Sequence, residues 1–154
     1  KYLEVIEKLK KAVPDIAIST DIIIGFCGET EEEFEASRSL LEDVEFDFAY
    51  LSPYSERRGT YAAKKMKDDV PEEIKKKRWD NLNRLLKKIS TKKLKKYKGK
   101  KVDVLVENFE KGLNIGRSEH YKIVQFKAKK SLVDEIVPVK ITEAKEWILI
   151  GKSL

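Results

Sequence analysis

The 154-residue sequence has few of the residue types that build disulfides and metal sites. It contains one cysteine, one histidine, one methionine and four prolines. A single cysteine, Cys27, excludes an internal disulfide and cannot by itself hold an iron–sulfur cluster or a structural zinc ion. His120 has no partner ligand at a useful spacing, so we expect no metal site in this chain.

Long apolar stretches are also missing. The sequence has no run of about 18 apolar residues and no visible signal peptide, so we expect no membrane span and no membrane partner. A cytoplasmic location is then the default expectation. No Gly-Lys-Ser/Thr phosphate loop and no internal repeat are present either.

Charge, in contrast, is abundant and unevenly distributed. Charged residues make up 39% of the chain and the net charge is +6. Residues 64–101 hold 17 Lys or Arg and 5 Asp or Glu, a local balance of +12, whereas the remainder is mildly acidic. Such a basic segment indicates a polyanionic partner. A solvated helix face that contacts nothing gives the same pattern.

The first part of the chain alternates between helix and strand patterns. Residues 1–13 and 31–44 have the apolar spacing of helices, and residues 16–24 and 46–52 read as strands. The three consecutive isoleucines of the first strand are typical of a strand buried on both faces. The helix–strand–helix–strand order predicts parallel βα units.

A glycine-bearing turn follows the first strand at once. Gly25 and Gly28 lie three apart, and Thr30 with Glu33 has the spacing of a capping box that opens the next helix. Loops at the carboxyl ends of parallel strands are where α/β folds bind ligands. A tight turn without a ligand would need the same glycines.

The pattern changes after a long Lys-rich helix predicted from Pro71 to about Lys96. From residue 102 the apolar period becomes two, and four or five short strands follow in about 55 residues. This indicates a small antiparallel barrel of OB-like size. The predicted fold class is therefore α/β followed by all-β, with domains at 1–98 and 99–154.

Several segments resemble radical-SAM methylthiotransferases. They are Ser19–Phe34, Phe46–Ala49, Val70–Arg78 and, in the TRAM domain that ends these enzymes, Gly116–Ser118 and Val139–Ala144. The resemblance implies that residues 1–98 are the last part of a radical-SAM (βα) barrel with its connecting helix. It also implies that residues 99–154 are a TRAM-like RNA-binding barrel.

The family's chemistry implies cofactors that this chain does not hold alone. The intact enzyme uses S-adenosylmethionine and two 4Fe–4S clusters, whose cysteine ligands are not in this sequence. We therefore expect no bound cofactor, no catalytic residue and no activity in the chain as it stands. Lys1 lies inside a helical pattern without a preceding cap, which indicates a piece of a longer polypeptide. Gly25, Gly28 and Glu29 are the residues that the resemblance places near the cofactor.

The resemblance also implies tRNA, through its anticodon stem-loop, as the partner. The candidate RNA-binding residues are Lys100, Lys101, Arg117, Tyr121 and Lys122. The missing part of the same protein, or a second copy, is expected to cover the apolar strands.

Three interpretations remain open at this point. The Gly116-Arg-Ser turn and Ile141-Thr-Glu-Ala favour the 2-methylthio-N6-isopentenyladenosine branch. Tyr121 and Pro53-Tyr-Ser lean toward the sister branch that modifies threonylcarbamoyladenosine. A non-enzymatic RNA-binding module is the third.

Overall fold

The computed structural model describes all residues from 1 to 154 and contains four helices and seven strands. In chain order they are α1 Tyr2–Ala12, β1 Ser19–Ile24, α2 Glu31–Val44, β2 Phe48–Pro53, α3 Tyr61–Lys65, α4 Glu72–Lys95, β3 Lys101–Glu110, β4 Leu113–Ser118, β5 Ile123–Lys127, β6 Ile136–Ala144 and β7 Leu149–Ser153. No helix is both long enough and apolar enough to cross a membrane.

The residues group into two compact units. Residues 18–89 form the first, which we call the βα unit, and residues 1–17 together with 90–154 form the second, the barrel unit. This grouping joins α1 to the barrel and divides α4 between Ile89 and Ser90. The domain limits 1–98 and 99–154 stay a prediction.

The βα unit is built around two parallel strands. β1 pairs with β2 from Ser19 opposite Phe48 to Ile24 opposite Pro53. The strands begin two or three residues later than the apolar pattern suggests. Before the ladder, Ile18 N–H donates to the carboxylate of Asp47 (3.0 Å) instead of to a strand partner. The parallel pairing through a helix confirms the predicted βα arrangement.

Helix α2 begins where the capping signal places it. The Thr30 hydroxyl accepts a hydrogen bond from Glu33 N–H (3.2 Å), and the Glu33 carboxylate accepts one from Thr30 N–H (3.0 Å). Two backbone donors of the first turn are thereby satisfied reciprocally. The predicted span, 31–44, is the observed one.

One face of the two-stranded sheet is open in this chain. Ile24 is 1% exposed, but Ile23 beside it is 56% exposed and Tyr50 on β2 is 65% exposed. The expectation that the isoleucine run is buried on both faces therefore does not hold in this chain. An exposed apolar surface on this unit, which two strands cannot close, is confirmed.

The barrel closes in the order β3-β4-β5-β7-β6. Along β3 the buried residues Val102, Val104 and Val106 alternate with exposed ones, as the period of two predicts. Four of the strand pairings are antiparallel, and β5 with β7 is parallel. The small five-stranded barrel is thus confirmed, with one parallel pairing that alternation of residues cannot reveal.

Close backbone approach and one buried amide complete the barrel. A Cβ added to Gly116 would lie 2.0 Å from Leu105 O, so β3 and β4 are too close there for any side chain. Asn114 is fully buried, and its side chain donates to Lys130 O (3.2 Å) and accepts from Leu132 N–H (2.9 Å). The amide fixes the segment after β5 to the barrel without leaving a polar group unpaired.

The segment between β2 and α4 contains a helix that the sequence pattern does not indicate. Residues 53–63 are rich in polar and charged side chains, which is typical of a loop, and the structure has helix α3 beginning at Tyr61. The Thr60 hydroxyl caps it by accepting a hydrogen bond from Ala63 N–H (3.2 Å). A single helical turn has too few residues for a recognisable apolar period.

Candidate glycine loop and nucleic-acid interface

The loop between β1 and α2 is held by its own side chains. Gly25 and Gly28 have φ values of +70° and +81°, a region that other residues adopt only with strain. Gly25 N–H donates to the Glu29 carboxylate (2.9 Å), and Gly28 N–H donates to the Asp69 carboxylate (2.7 Å). The N–H groups of both glycines in the predicted cofactor loop therefore have partners within the βα unit.

Lys75 of α4 lies directly against this loop. Its side chain is 1% exposed, and a Cβ added to Gly25 would lie 2.4 Å from Lys75 Cγ. The ammonium contacts Asp68 (2.8 Å), Glu72 (2.9 Å) and the Tyr54 carbonyl oxygen (3.3 Å). Gly25 is thus required both for its backbone conformation and for the space that Lys75 occupies.

Arg78, one helical turn further along α4, holds the other end of the loop. Its guanidinium bonds the Glu29 carboxylate (2.5 Å) and the Glu31 carboxylate (2.8 Å), and it lies 5.1 Å from the centroid of the Phe34 ring. The side chains of Arg78 and Glu29 are 8% and 11% exposed. Burial acts to lower the pKa of Arg78, but the two carboxylates outweigh it and raise the pKa above its usual value. The result is a fully charged, buried ion pair under the loop.

We expect the Lys75 charge to contribute stability that disappears in strong alkali. Burial acts to lower the pKa of Lys75, but hydrogen bonds and charge attraction from Asp68 and Glu72 outweigh it, and the pKa is raised. A raised pKa means that the folded state binds more protons once pH passes the ordinary lysine value of about 10.4, so stability falls from there upward. Urea denaturation from pH 7 to 11 should show a steeper alkaline decline for the wild type than for Lys75→Met. Equal declines would contradict the prediction.

A cavity of about 310 Å³ opens beside the loop. Its lining residues are Ile23, Phe26, Ser52, Pro53, Tyr54, Ser55, Arg57, Thr60 and Ala62. Phe26 and Tyr54 meet edge to face with ring centroids 5.0 Å apart. Partial burial and then a hydrogen bond with Cys27 raise the pKa of Tyr54, so its hydroxyl stays protonated at neutral pH.

The cavity, more than the loop, is lined by aromatic and hydroxyl side chains of the kinds that bind nucleosides. Aromatic rings suit a flat base, and the hydroxyls of Ser52 and Ser55 are the kind of groups that hydrogen-bond a ribose. Its volume lies at the small end of the range for small-molecule pockets. The N–H groups of Gly25 and Gly28 and the carboxylate of Glu29 are engaged within the chain, so these residues shape the loop. Their contact with a cofactor stays a prediction.

The barrel unit brings together a different set of side chains around Arg117. This residue lies on β4, where its guanidinium bonds both carboxylate oxygens of Glu107 on β3 (2.8 and 2.9 Å). The same guanidinium lies 4.6 Å from the centroid of the Tyr121 ring. Tyr121 is 53% exposed and has φ +58°, in the tight turn between β4 and β5. An exposed ring beside an arginine is the combination that stacks nucleic-acid bases and binds phosphates.

A second aromatic pair continues this surface toward the end of α4. Lys100 Nζ lies 5.7 Å from the centroid of the Tyr97 ring, and Tyr97 lies 6.5 Å from the ring of His120. His120 precedes Tyr121 in the β4–β5 turn. We call the residues Tyr97, Lys100, Arg117, His120 and Tyr121 the basic-aromatic strip.

The remaining candidate RNA-binding lysines differ in their surroundings. Lys101 is exposed at the start of β3, where it pairs with Lys140 of β6. Lys122 is 6% exposed, so its ammonium is not displayed on the surface as the sequence suggested. A role for either residue in RNA binding stays a prediction.

Sequence reasoning missed three contributors to these sites. Lys75 and Arg78 stand in a run of basic residues that looked uniformly solvated, although the acidic cluster at 68–73 beside them was a visible signal. The sequence placed Tyr97 at the end of a helix, just before Gly99. Tyr97 is only three residues from Lys100, but nothing in this spacing indicates that the distant His120 contacts the Tyr97 ring.

Comparison with known proteins agrees with this architecture. Residues 95–154 match the TRAM domain family. The chain is 48% identical over 155 residues to the tRNA-2-methylthio-N(6)-dimethylallyladenosine synthase of Geobacillus thermodenitrificans, which covers 99% of the chain and 29% of that relative. Proteins of the same name from Bacillus subtilis and Bacillus velezensis are 48% identical over 157 residues and 49% identical over 154 residues. These alignments cover 100% and 98% of this chain. The chain spans about three tenths of the length of these relatives.

Proposed function

We propose that this chain, which carries a TRAM domain and corresponds to the C-terminal region of tRNA methylthiotransferases, serves a tRNA-modifying enzyme by holding its RNA. The whole enzyme would add a methylthio group to N6-dimethylallyladenosine (isopentenyladenosine) in tRNA. The names of the relatives support this branch over the threonylcarbamoyladenosine branch. A self-sufficient RNA-binding module would use the same barrel surface without the chemistry.

The basic-aromatic strip is the observation that supports RNA binding most directly. Arg117 and Lys100 offer positive charge for phosphates, and Tyr121 offers a half-exposed ring for a splayed base. An anticodon loop presents unpaired bases of this kind, whereas a regular RNA duplex hides its bases from such a surface. The tRNA anticodon stem-loop is therefore the proposed ligand.

The βα unit would take part in holding S-adenosylmethionine. Phe26, Tyr54 and Ser55 line the cavity that would take the adenosyl group, and Gly25 with Glu29 keeps the adjoining loop in place. One S-adenosylmethionine bound there would supply the radical that abstracts hydrogen from the C–H bond, and a second equivalent would supply the methyl group that is transferred. The iron–sulfur clusters would be held by cysteines outside this chain, since Cys27 is its one cysteine.

We expect salt and point variants to separate phosphate contacts from base stacking. Arg117→Ala should weaken binding of an anticodon stem-loop and reduce the slope of log K against log salt by about 0.7 to 0.9, one phosphate's contribution. Tyr121→Ala should weaken binding by about 1 to 3 kcal/mol with little change in slope, because stacking releases no counterions. Fluorescence titration at several salt concentrations measures both quantities.

Matched controls come from the βα unit. Arg38, like Arg117, is partly exposed and paired with carboxylates, and Tyr50 is an exposed tyrosine. Arg38→Ala and Tyr50→Ala should leave RNA affinity nearly unchanged. Binding that ignores salt, or no binding even at low salt, would refute the RNA-holding role.

A further inference from the structure

The ion pair between Arg117 and Glu107 has the form of an arginine–phosphate contact. Glu107 lies where the pairing of β3 with β4 shifts register, between Val106 and Asn108. This bulge places the carboxylate against Arg117, whose Nη1 contacts both of its oxygens. Both side chains are partly exposed, at 35% for Arg117 and 43% for Glu107. Solvent, and any ligand at this surface, can therefore reach the pair.

The chemistry of the two anions is closely matched. A carboxylate and a phosphodiester each present two equivalent oxygens carrying one negative charge, and the planar guanidinium binds either by its fork of donors. Arg117 Nε is buried, so an arriving anion can reach only the Nη donors, of which Nη1 already holds Glu107. The Tyr121 ring, 4.6 Å from the guanidinium, restricts where the fork can point. One anion at a time therefore suits this position.

We infer that Glu107 occupies the place of an RNA phosphate on Arg117, and that RNA must displace this carboxylate in order to bind. The inference rests on the RNA-holding role proposed above and adds the identity of the competing group. Glu107 lowers the affinity of the barrel for any RNA that places a phosphate at Arg117. The carboxylate thus sets how tightly the strip holds such an RNA.

A double-mutant cycle on the 154-residue chain tests this inference. Glu107→Gln keeps the size of the side chain and removes its charge, and Glu143→Gln on β6 removes the same charge from another exposed position of the barrel. With a tRNA anticodon stem-loop at fixed salt, Glu107→Gln should bind about two- to fivefold more tightly than Glu143→Gln, as expected for release of a partly exposed ion pair. In the Arg117→Ala background the two substitutions should have equal effects. Thermal unfolding of each variant checks that the barrel stays folded.

The possible outcomes separate this inference from the proposed function. If the wild type binds RNA but Glu107→Gln and Glu143→Gln act alike, Glu107 is an ordinary surface charge and the inference fails alone. An effect of Glu107→Gln that persists without Arg117 also overturns it, because general repulsion would then explain the gain. If neither the wild type nor Glu107→Gln binds RNA at low salt, the proposed function and the inference fail together.

Discussion

Replacing Gly116 with alanine is expected to unfold the barrel unit. The added Cβ would lie 2.0 Å from Leu105 O and 2.8 Å from Val106 Cα, and all of these are backbone atoms that no rotamer change can move. Relief requires β3 and β4 to separate at the point where Gly116 pairs with Val106. We expect a loss of at least about 4 kcal/mol, a large part of the 5–15 kcal/mol that stabilises a typical domain. Circular dichroism during thermal unfolding measures it.

Gly112→Ala is the matched control for this prediction. Gly112 lies in the turn between β3 and β4 with φ +78°, and a Cβ there would meet nothing within 4 Å. Alanine at this position suffers backbone strain without a collision and should cost about 1 to 2 kcal/mol. If the two variants were equally stable, the close approach of β3 to β4 would not be the reason for glycine at 116.

The barrel could be predicted from sequence because its signal is local. Val102, Val104 and Val106 alternate along one strand, and each alternation specifies a buried face without reference to other strands. The parallel pairing of β5 with β7 could not be predicted in this way, since it depends on which strands meet after closure. Gly116 likewise looked like part of a turn, whereas the structure places it within β4.

In the glycine loop, too, contacts between residues close in sequence could be predicted, whereas contacts with distant residues could not. The capping box of Thr30 and Glu33 is contained in four residues, and it was predicted correctly. The charged partner of Glu29 is Arg78 of α4, about fifty residues away along the chain, so no local pattern reveals it. Within the basic run 75–78, however, the helical period does distinguish the members. Lys75 and Arg78 are three apart and buried, while the two lysines between them are exposed.

The same burial explains why Arg78→Met should strongly destabilise the βα unit. Methionine keeps much of the apolar volume but leaves the Glu29 carboxylate, 11% exposed, without its cation. Removing one partner of a buried ion pair typically costs about 3 to 5 kcal/mol, because the remaining charge is uncompensated. The contact with the Phe34 ring is weakened as well. Urea denaturation followed by Trp79 fluorescence, in a Trp147→Phe background, reports this unit separately from the barrel.

Two further variants show whether the buried charge is the cause. Arg38→Met removes an arginine that is 35% exposed and paired with Glu35 and Glu42, and it should cost less than about 1 kcal/mol. Adding Glu29→Gln to Arg78→Met removes the orphaned charge, so the double variant should be more stable than Arg78→Met alone. Two results would show that the ion pair does not hold the loop. One is an equal loss of stability in Arg78→Met and Arg38→Met. The other is a double variant that is less stable than Arg78→Met alone. A large loss in Arg78→Met that Glu29→Gln partly restores would mean that Arg78 of α4 holds the loop beside the cavity. This arginine lies in a part of the sequence that resembled a solvated lysine run.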